Sequence, residues 1–156
     1  MTAADVRPGE LVVELGAGTG RLTLPLLDGG ARVIAVELHA RRSADLRRRL
    51  AGRDAVVVEA DLRTFRLPTR RPFRVVANPP FAVTAHVLSM LGSAPSLTRA
   101  DLVLQREVVR RLETGGRRSA RRLTARRLLD LPRASFVPEA SVDSSVVTLR
   151  PRRRNR

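Results

Sequence analysis

Leu11-Val12-Val13-Glu14-Leu15-Gly16-Ala17-Gly18-Thr19-Gly20 joins an apolar run to a glycine-rich turn, and the rest of the fold is laid out around it. Its first half is apolar around one acid and reads as a buried strand, which the glycines break at once. From about Arg21 to Leu27 the pattern turns helical. Strand, glycine loop and helix in direct succession let a ligand approach the backbone closely, while the helix start presents N–H groups without partners. A dinucleotide fingerprint would place a third glycine at position 21, where this chain has Arg, so the spacing speaks against NAD.

Outward from that unit the same alternation repeats. Gly29-Gly30 precedes Ala31 to Val36, a second strand that ends on Glu37. An acid at that tip can accept both hydroxyls of a ribose. A helix is expected from Ala40 to about Leu50, with Arg41, Arg42, Arg47, Arg48 and Arg49 on a solvated face. Ala55 to Glu59 forms a third strand, followed by Asp61, an acid suited to accept from the amino group of an adenine. After a turn-rich loop from Leu67 to Pro72, Phe73 to Ala77 is a fourth strand. A helix over Thr84 to Leu91, a strand over Ala100 to Gln105, a helix over Arg106 to Leu112 and a last strand over Val142 to Leu149 complete the pattern. Strands alternating with helices predict an α/β fold with a doubly wound, mostly parallel, Rossmann-like sheet.

The fourth strand runs into Asn78-Pro79-Pro80-Phe81. Two prolines cannot donate to a ladder and each restricts the residue before it, so an extended, rigid corner with free carbonyls is expected at the strand's carboxyl end. An amide, fixed carbonyls and an aromatic face suit a flat molecule that carries an NH2 group, such as adenine or cytosine.

Composition narrows the partners. The 156 residues suffice for one core, and the formal charge of +15 is carried by arginine alone, since the chain has no lysine. Arginine pairs bidentately with phosphate, so a polyanion, most simply nucleic acid, is the expected partner. The run from Thr114 to Arg127, with Gly115-Gly116 and then Arg117, Arg118, Arg121 and Arg122, is the expected backbone contact. No cysteine is present, and His39 and His86 fit neither a metal site nor a catalytic constellation. No signal peptide or span-length apolar run is found, so a cytoplasmic monomer with no membrane contact is expected.

With these residues in place, the sequence resembles the class I S-adenosylmethionine-dependent methyltransferases, and within them the rRNA adenine N6-methyltransferases of the Erm and KsgA type. Glu14 to Gly20 looks like the family's cofactor loop, Asn78-Pro79-Pro80-Phe81 like its Asn-x-Pro-aromatic signature, and Leu104-Gln105-Arg106-Glu107 like its Leu-Gln-Lys-Glu segment. Phe136-Val137-Pro138 followed by Val142-Asp143-Ser144 resembles the late Phe-x-Pro and Val-x-Ser segment. The resemblance implies S-adenosylmethionine held by Glu14, Gly16, Ala17, Gly18, Gly20, Glu37, Leu38, Asp61, Leu62 and Asn78. It implies catalysis at Asn78, Pro79, Pro80 and Phe81, and a target base between Phe81 and Phe136. No metal is implied. The arginine-rich composition and the Asn-Pro-Pro-Phe form look closer to the Erm branch, which acts on 23S rRNA and protects ribosomes from macrolides, lincosamides and streptogramin B.

The chain departs from the family pattern at three places. Only ten residues precede Leu11, the hairpin between Arg127 and Phe136 is expected to be curtailed, and an arginine tail over 150–156 stands where a helical domain usually follows. A methyltransferase domain over 1–149, truncated at both ends, with a disordered basic tail is therefore expected. A KsgA-like small-subunit rRNA dimethyltransferase, a non-catalytic RNA-binding protein of the same fold and a DNA adenine N6-methyltransferase are the alternatives.

Overall fold

The computed structural model describes residues 6–115 and 122–152. Seven strands form one sheet: β1 (Leu11–Leu15), β2 (Arg32–Glu37), β3 (Ala55–Glu59), β4 (Phe73–Ala77), β5 (Leu97–Gln105), β6 (Leu123–Leu131) and β7 (Ser144–Pro151), in the order β3-β2-β1-β4-β5-β7-β6. The first five strands are parallel, and β7 inserts antiparallel between β5 and β6. Four helices, α1 (Thr23–Asp28), α2 (Ala40–Arg49), α3 (Thr84–Ser93) and α4 (Arg106–Glu113), cover the two faces.

The side chains divide by the period of two that a strand imposes. Val13, Leu15, Phe73, Val75, Ala77, Leu102 and Leu104 pack with Val87, Leu88 and Leu91 of α3 and Val109 and Leu112 of α4. Val12, Val33, Ala35 and Val76 point the other way, onto Leu26 and Leu27 of α1, Leu46 of α2 and Leu50 directly after it. All five residues of β4 are buried, as expected of a central strand covered on both sides.

The chain reverses direction in the sheet at β1, which pairs with β2 on one side and β4 on the other. Leu15 stands opposite both Val36 and Ala77. The glycine loop, Glu37 and Asn78 therefore leave the sheet at one edge, the topological switch point where open α/β sheets bind ligands.

Three expectations are corrected. The hairpin is not curtailed: β6 spans nine residues and pairs with β7 from Leu123 opposite Pro151 to Leu131 opposite Ser144, with a register shift between Arg127 and Leu129. The basic tail does not begin at residue 150, because β7 carries Arg150 and Pro151 within the sheet. Helix α1 begins at Thr23 rather than Arg21, since Gly20 adopts φ +82° and its N–H donates to the Ala17 carbonyl at 2.9 Å, prolonging the turn. Arg117, Arg118 and Arg121 lie outside the described residues. Among the described residues no helix is long and apolar enough to cross a membrane.

Candidate functional site

A cavity of about 250 Å³ opens at the switch point. Gly16, Gly18, Glu37, Leu38, Asp61, Leu62, Asn78 and Pro80 line it, so four separate strand ends bring the predicted residues together. The glycine loop belongs there for a steric reason. Gly16 and Gly18 hold φ +81° and +56°, a left-handed region that L side chains rarely enter. A Cβ on Gly16 would stand 4.0 Å from Pro80 Cδ, so loop and corner adjoin.

Glu37 is buried, yet its carboxylate is only partly used. Gly18 N–H donates to Oε2 at 2.8 Å and His39 N–H to Oε1 at 2.9 Å. The acid thereby pins the glycine loop to the start of α2, and its remaining lone pairs stay available. Asp61 accepts from Arg63 N–H at 2.8 Å and pairs with the Arg63 guanidinium at 3.3 Å. These partners, the backbone N–H first, hold its carboxyl below the usual range. Both acids thus offer acceptor oxygens to one cavity.

Asn78 is exposed at the end of β4, and among the described residues neither its side chain nor the Pro79 carbonyl has a hydrogen-bond partner. The expectation of free carbonyls holds for Pro79 but fails for Pro80. Val83 N–H donates to the Pro80 carbonyl at 3.1 Å and closes a 3-10 turn over Phe81–Val83. Phe81 opens that turn and is 39% exposed, and neither it nor Pro79 lines the cavity.

Phe136 is half-buried and lies in the segment that leads into β7. Because Ser144 pairs with Gln105, this segment enters the sheet at the same edge as Asn78. Asp143 fixes it: its carbonyl accepts from Arg106 N–H at 3.0 Å, and its Oδ1 from Arg133 N–H at 2.9 Å. This anchoring is why β7 starts at Ser144 and not at Val142.

Glu14, Ala17 and Gly20 do not line the cavity. Ala17 is buried in the core shared with α1 and α2, and Gly20 sits against Leu46. Glu14 is buried beneath the loop, where Thr23 Oγ1 donates to its Oε2 at 2.5 Å while Oε1 has no partner. Burial pushes its carboxyl up to about 7, more than the Thr23 hydrogen bond lowers it. Arg122 lies far from the site. It precedes β6 at the opposite end of the sheet, where its carbonyl accepts from Arg152 N–H at 2.7 Å.

His39, Arg42 and Arg63 line the cavity although the sequence reading left them out. Arg42 Nη1 stands 3.9 Å from Glu37 Oε1. The signal was present, since Arg42 falls in the first turn of the helix that Glu37 introduces, and Arg63 two residues after Asp61.

A glycine loop after β1, acids beyond β2 and β3, and a sheet closed by an inserted antiparallel strand define the Rossmann-like fold of class I methyltransferases. The model of the family described as ribosomal RNA adenine dimethylase matches residues 1–156, and the chain belongs to that family. It is 36% identical over 168 residues to the ribosomal RNA small subunit methyltransferase A of Thermosynechococcus vestitus, covering 98% of this chain and 63% of that protein. An rRNA adenine N-6-methyltransferase of Corynebacterium diphtheriae is 33% identical over 147 residues, covering 89% of this chain and 57% of that protein. The crystal structure of the 23S rRNA methyltransferase ErmE superimposes with a TM-score of 0.84 at 32% identity, covering 96% of this chain and 64% of that one. The chain thus spans less than two thirds of the length of each.

Proposed function

We propose that this chain transfers a methyl group from S-adenosylmethionine to N6 of an adenine in ribosomal RNA. The observation that carries the reading is the pair of unpartnered acceptors, the Asn78 side-chain carbonyl and the Pro79 carbonyl, beside a cavity lined by two acids, Glu37 and Asp61. The cavity residues suit the cofactor: Glu37 has acceptor capacity left for ribose hydroxyls, Asp61 can accept from an adenine amino group, and no atom lies within 4 Å of a Cβ placed on Gly18. When bound, S-adenosylmethionine supplies an electrophilic methyl on a sulfonium.

The N6 lone pair of adenine is delocalised into the ring and is a poor nucleophile. Asn78 and Pro79 accept its two hydrogens, favour a pyramidal nitrogen and aim the lone pair at the methyl. Positioning and electrostatics carry the rate, with no strong general base. Phe81, with Phe136 on the same edge of the sheet, stacks on a base drawn out of its helix, a contact worth about 1–3 kcal/mol.

The small-subunit rRNA is the leading target, because the relative that covers 98% of the chain carries that name. A 23S target, and with it macrolide, lincosamide and streptogramin B resistance, is the second reading. The 0.84 TM-score to ErmE and the Asn-Pro-Pro-Phe corner favour it. Transfer of labelled methyl to protein-free 16S rRNA, 23S rRNA and duplex DNA tests all of this. N6-methyladenine in 16S rRNA supports the leading target and in 23S rRNA the second, whereas label only in DNA, or in none, rejects the proposal.

A further inference from the structure

The arginines of this chain are not evenly neutralised. On the helices they are largely paired, as with Arg48 and Asp45, or Arg110 and Arg111 with Glu107. At the amino ends of the parallel strands the distribution differs. Among the described residues, Arg7, Arg70, Arg71, Arg122, Arg150 and Arg152 are exposed there and pair with no carboxylate.

Topology places all six on one rim. Arg7 precedes β1, and Arg70 and Arg71 precede β4. The Thr69 carbonyl accepts from Ser96 Oγ at 2.6 Å, which holds that loop against the start of β5. Arg150 lies near the end of β7 and Arg152 directly past it, with Arg122 beside them directly before β6. Between Arg7 and Arg71 lies an open cleft of about 720 Å³, floored by Leu11, Ile34 and Val56. The acids near it are already engaged: Asp54 with Arg32 at 3.1 Å, Asp28 with Arg53 at 2.6 Å, and Glu10 with Arg7 N–H at 3.1 Å and with Arg74 at 3.9 Å. The rim therefore carries a net positive charge.

We infer that this rim is a second RNA-binding surface, which grips the phosphate backbone at the end of the sheet opposite Asn78. The five residues of β4 and its flanking turns separate Arg71 from Asn78 by about 20 Å, so one RNA must be extended enough to span the sheet. The apolar cleft floor accommodates the face of an unpaired base while the arginines hold phosphates. The inference rests on RNA being the partner, but its test reads binding and not turnover.

The test compares the full chain with Arg7→Gln/Arg70→Gln/Arg71→Gln and with the charge-matched control Arg48→Gln/Arg110→Gln/Arg111→Gln. Affinity for a long protein-free rRNA fragment and for a six-nucleotide adenosine-containing strand is measured across a salt series, after thermal unfolding has verified each fold. The rim variant is expected to bind the long fragment with a salt slope smaller by about 2–3, at roughly 0.7–0.9 per lost phosphate contact, and to lose the preference for long over short RNA. An unchanged slope, an equal loss in the control, or competition by polyglutamate as effective as that by RNA would each overturn the inference. A chain that binds in this way but transfers no methyl group would refute the proposed activity and leave the rim standing.

Discussion

Asn78 and Glu14 are one residue beyond β4 and one before the end of β1, and their environments set opposite tasks. Asn78 is exposed and unpartnered, so its amide is free to meet a base. Asn78→Ala should abolish methyl transfer while S-adenosylmethionine still binds, as calorimetric titration would measure; transfer within tenfold of the parent would remove Asn78 from the mechanism. Glu14 is buried, and its carboxyl is raised from the ordinary 4.5 to about 7. The folded state then holds more protons than the unfolded state between those values, so stability falls as pH rises through that window and levels off above it. The change is roughly 3 kcal/mol at about 1.4 kcal/mol per unit. Thermal unfolding of Glu14→Gln from pH 4 to 8 should lack that component; a pH dependence equal to that of the parent would mean Glu14 is already ionised when buried.

The glycine loop and the β6–β7 hairpin show how differently elements can be read from sequence. The loop was legible because Gly16, Gly18 and Gly20 answer a local demand, positive φ between a strand and a helix. Gly16→Ala should cost about 1–2 kcal/mol for the left-handed backbone and weaken cofactor binding, since the new methyl would narrow the gap to Pro80. A denaturant midpoint and a binding titration together check this. The hairpin was not legible. Arg126 and Arg127 interrupt the alternation of β6, and Leu128 falls in the register shift. Arg127 pairs with Glu113 at 2.5 Å and Asp130 at 3.5 Å, both brought there by the fold.

The whole molecule joins its parallel and antiparallel parts through buried charge. Asp101 of β5 is fully buried, and Arg74 of β4 contacts its Oδ2 at 2.7 Å. Arg99 reaches Oδ1 at 2.8 Å, and Thr148 Oγ1 of β7 donates to the same oxygen at 2.6 Å. Three strands thus share one carboxylate. Asp101→Ala should destabilise the domain by about 3–5 kcal/mol, because it leaves buried guanidinium charge uncompensated. Replacing Arg74 and Asp101 together by Met and Leu should recover part of that loss, as urea unfolding would register. Equal losses in the single and double variants would mean that packing, and not charge, dominates here.

The α/β alternation and the sheet edge at which the cavity opens could be read from the chain, as could several of the residues that line it. Gly16, Glu37 and Asn78 each stand at or directly past a strand's end and Asp61 two residues past β3, and that placement is local. Only the packed fold fixes which loop residues line the cavity, which acid lies buried beneath it, and that six exposed arginines without a carboxylate partner among the described residues share the far end of the sheet. Those outcomes depend on which distant carboxylates and backbone groups come within a few ångströms of each side chain. No pattern along the chain records that proximity, because strand order, and not sequence spacing, sets it.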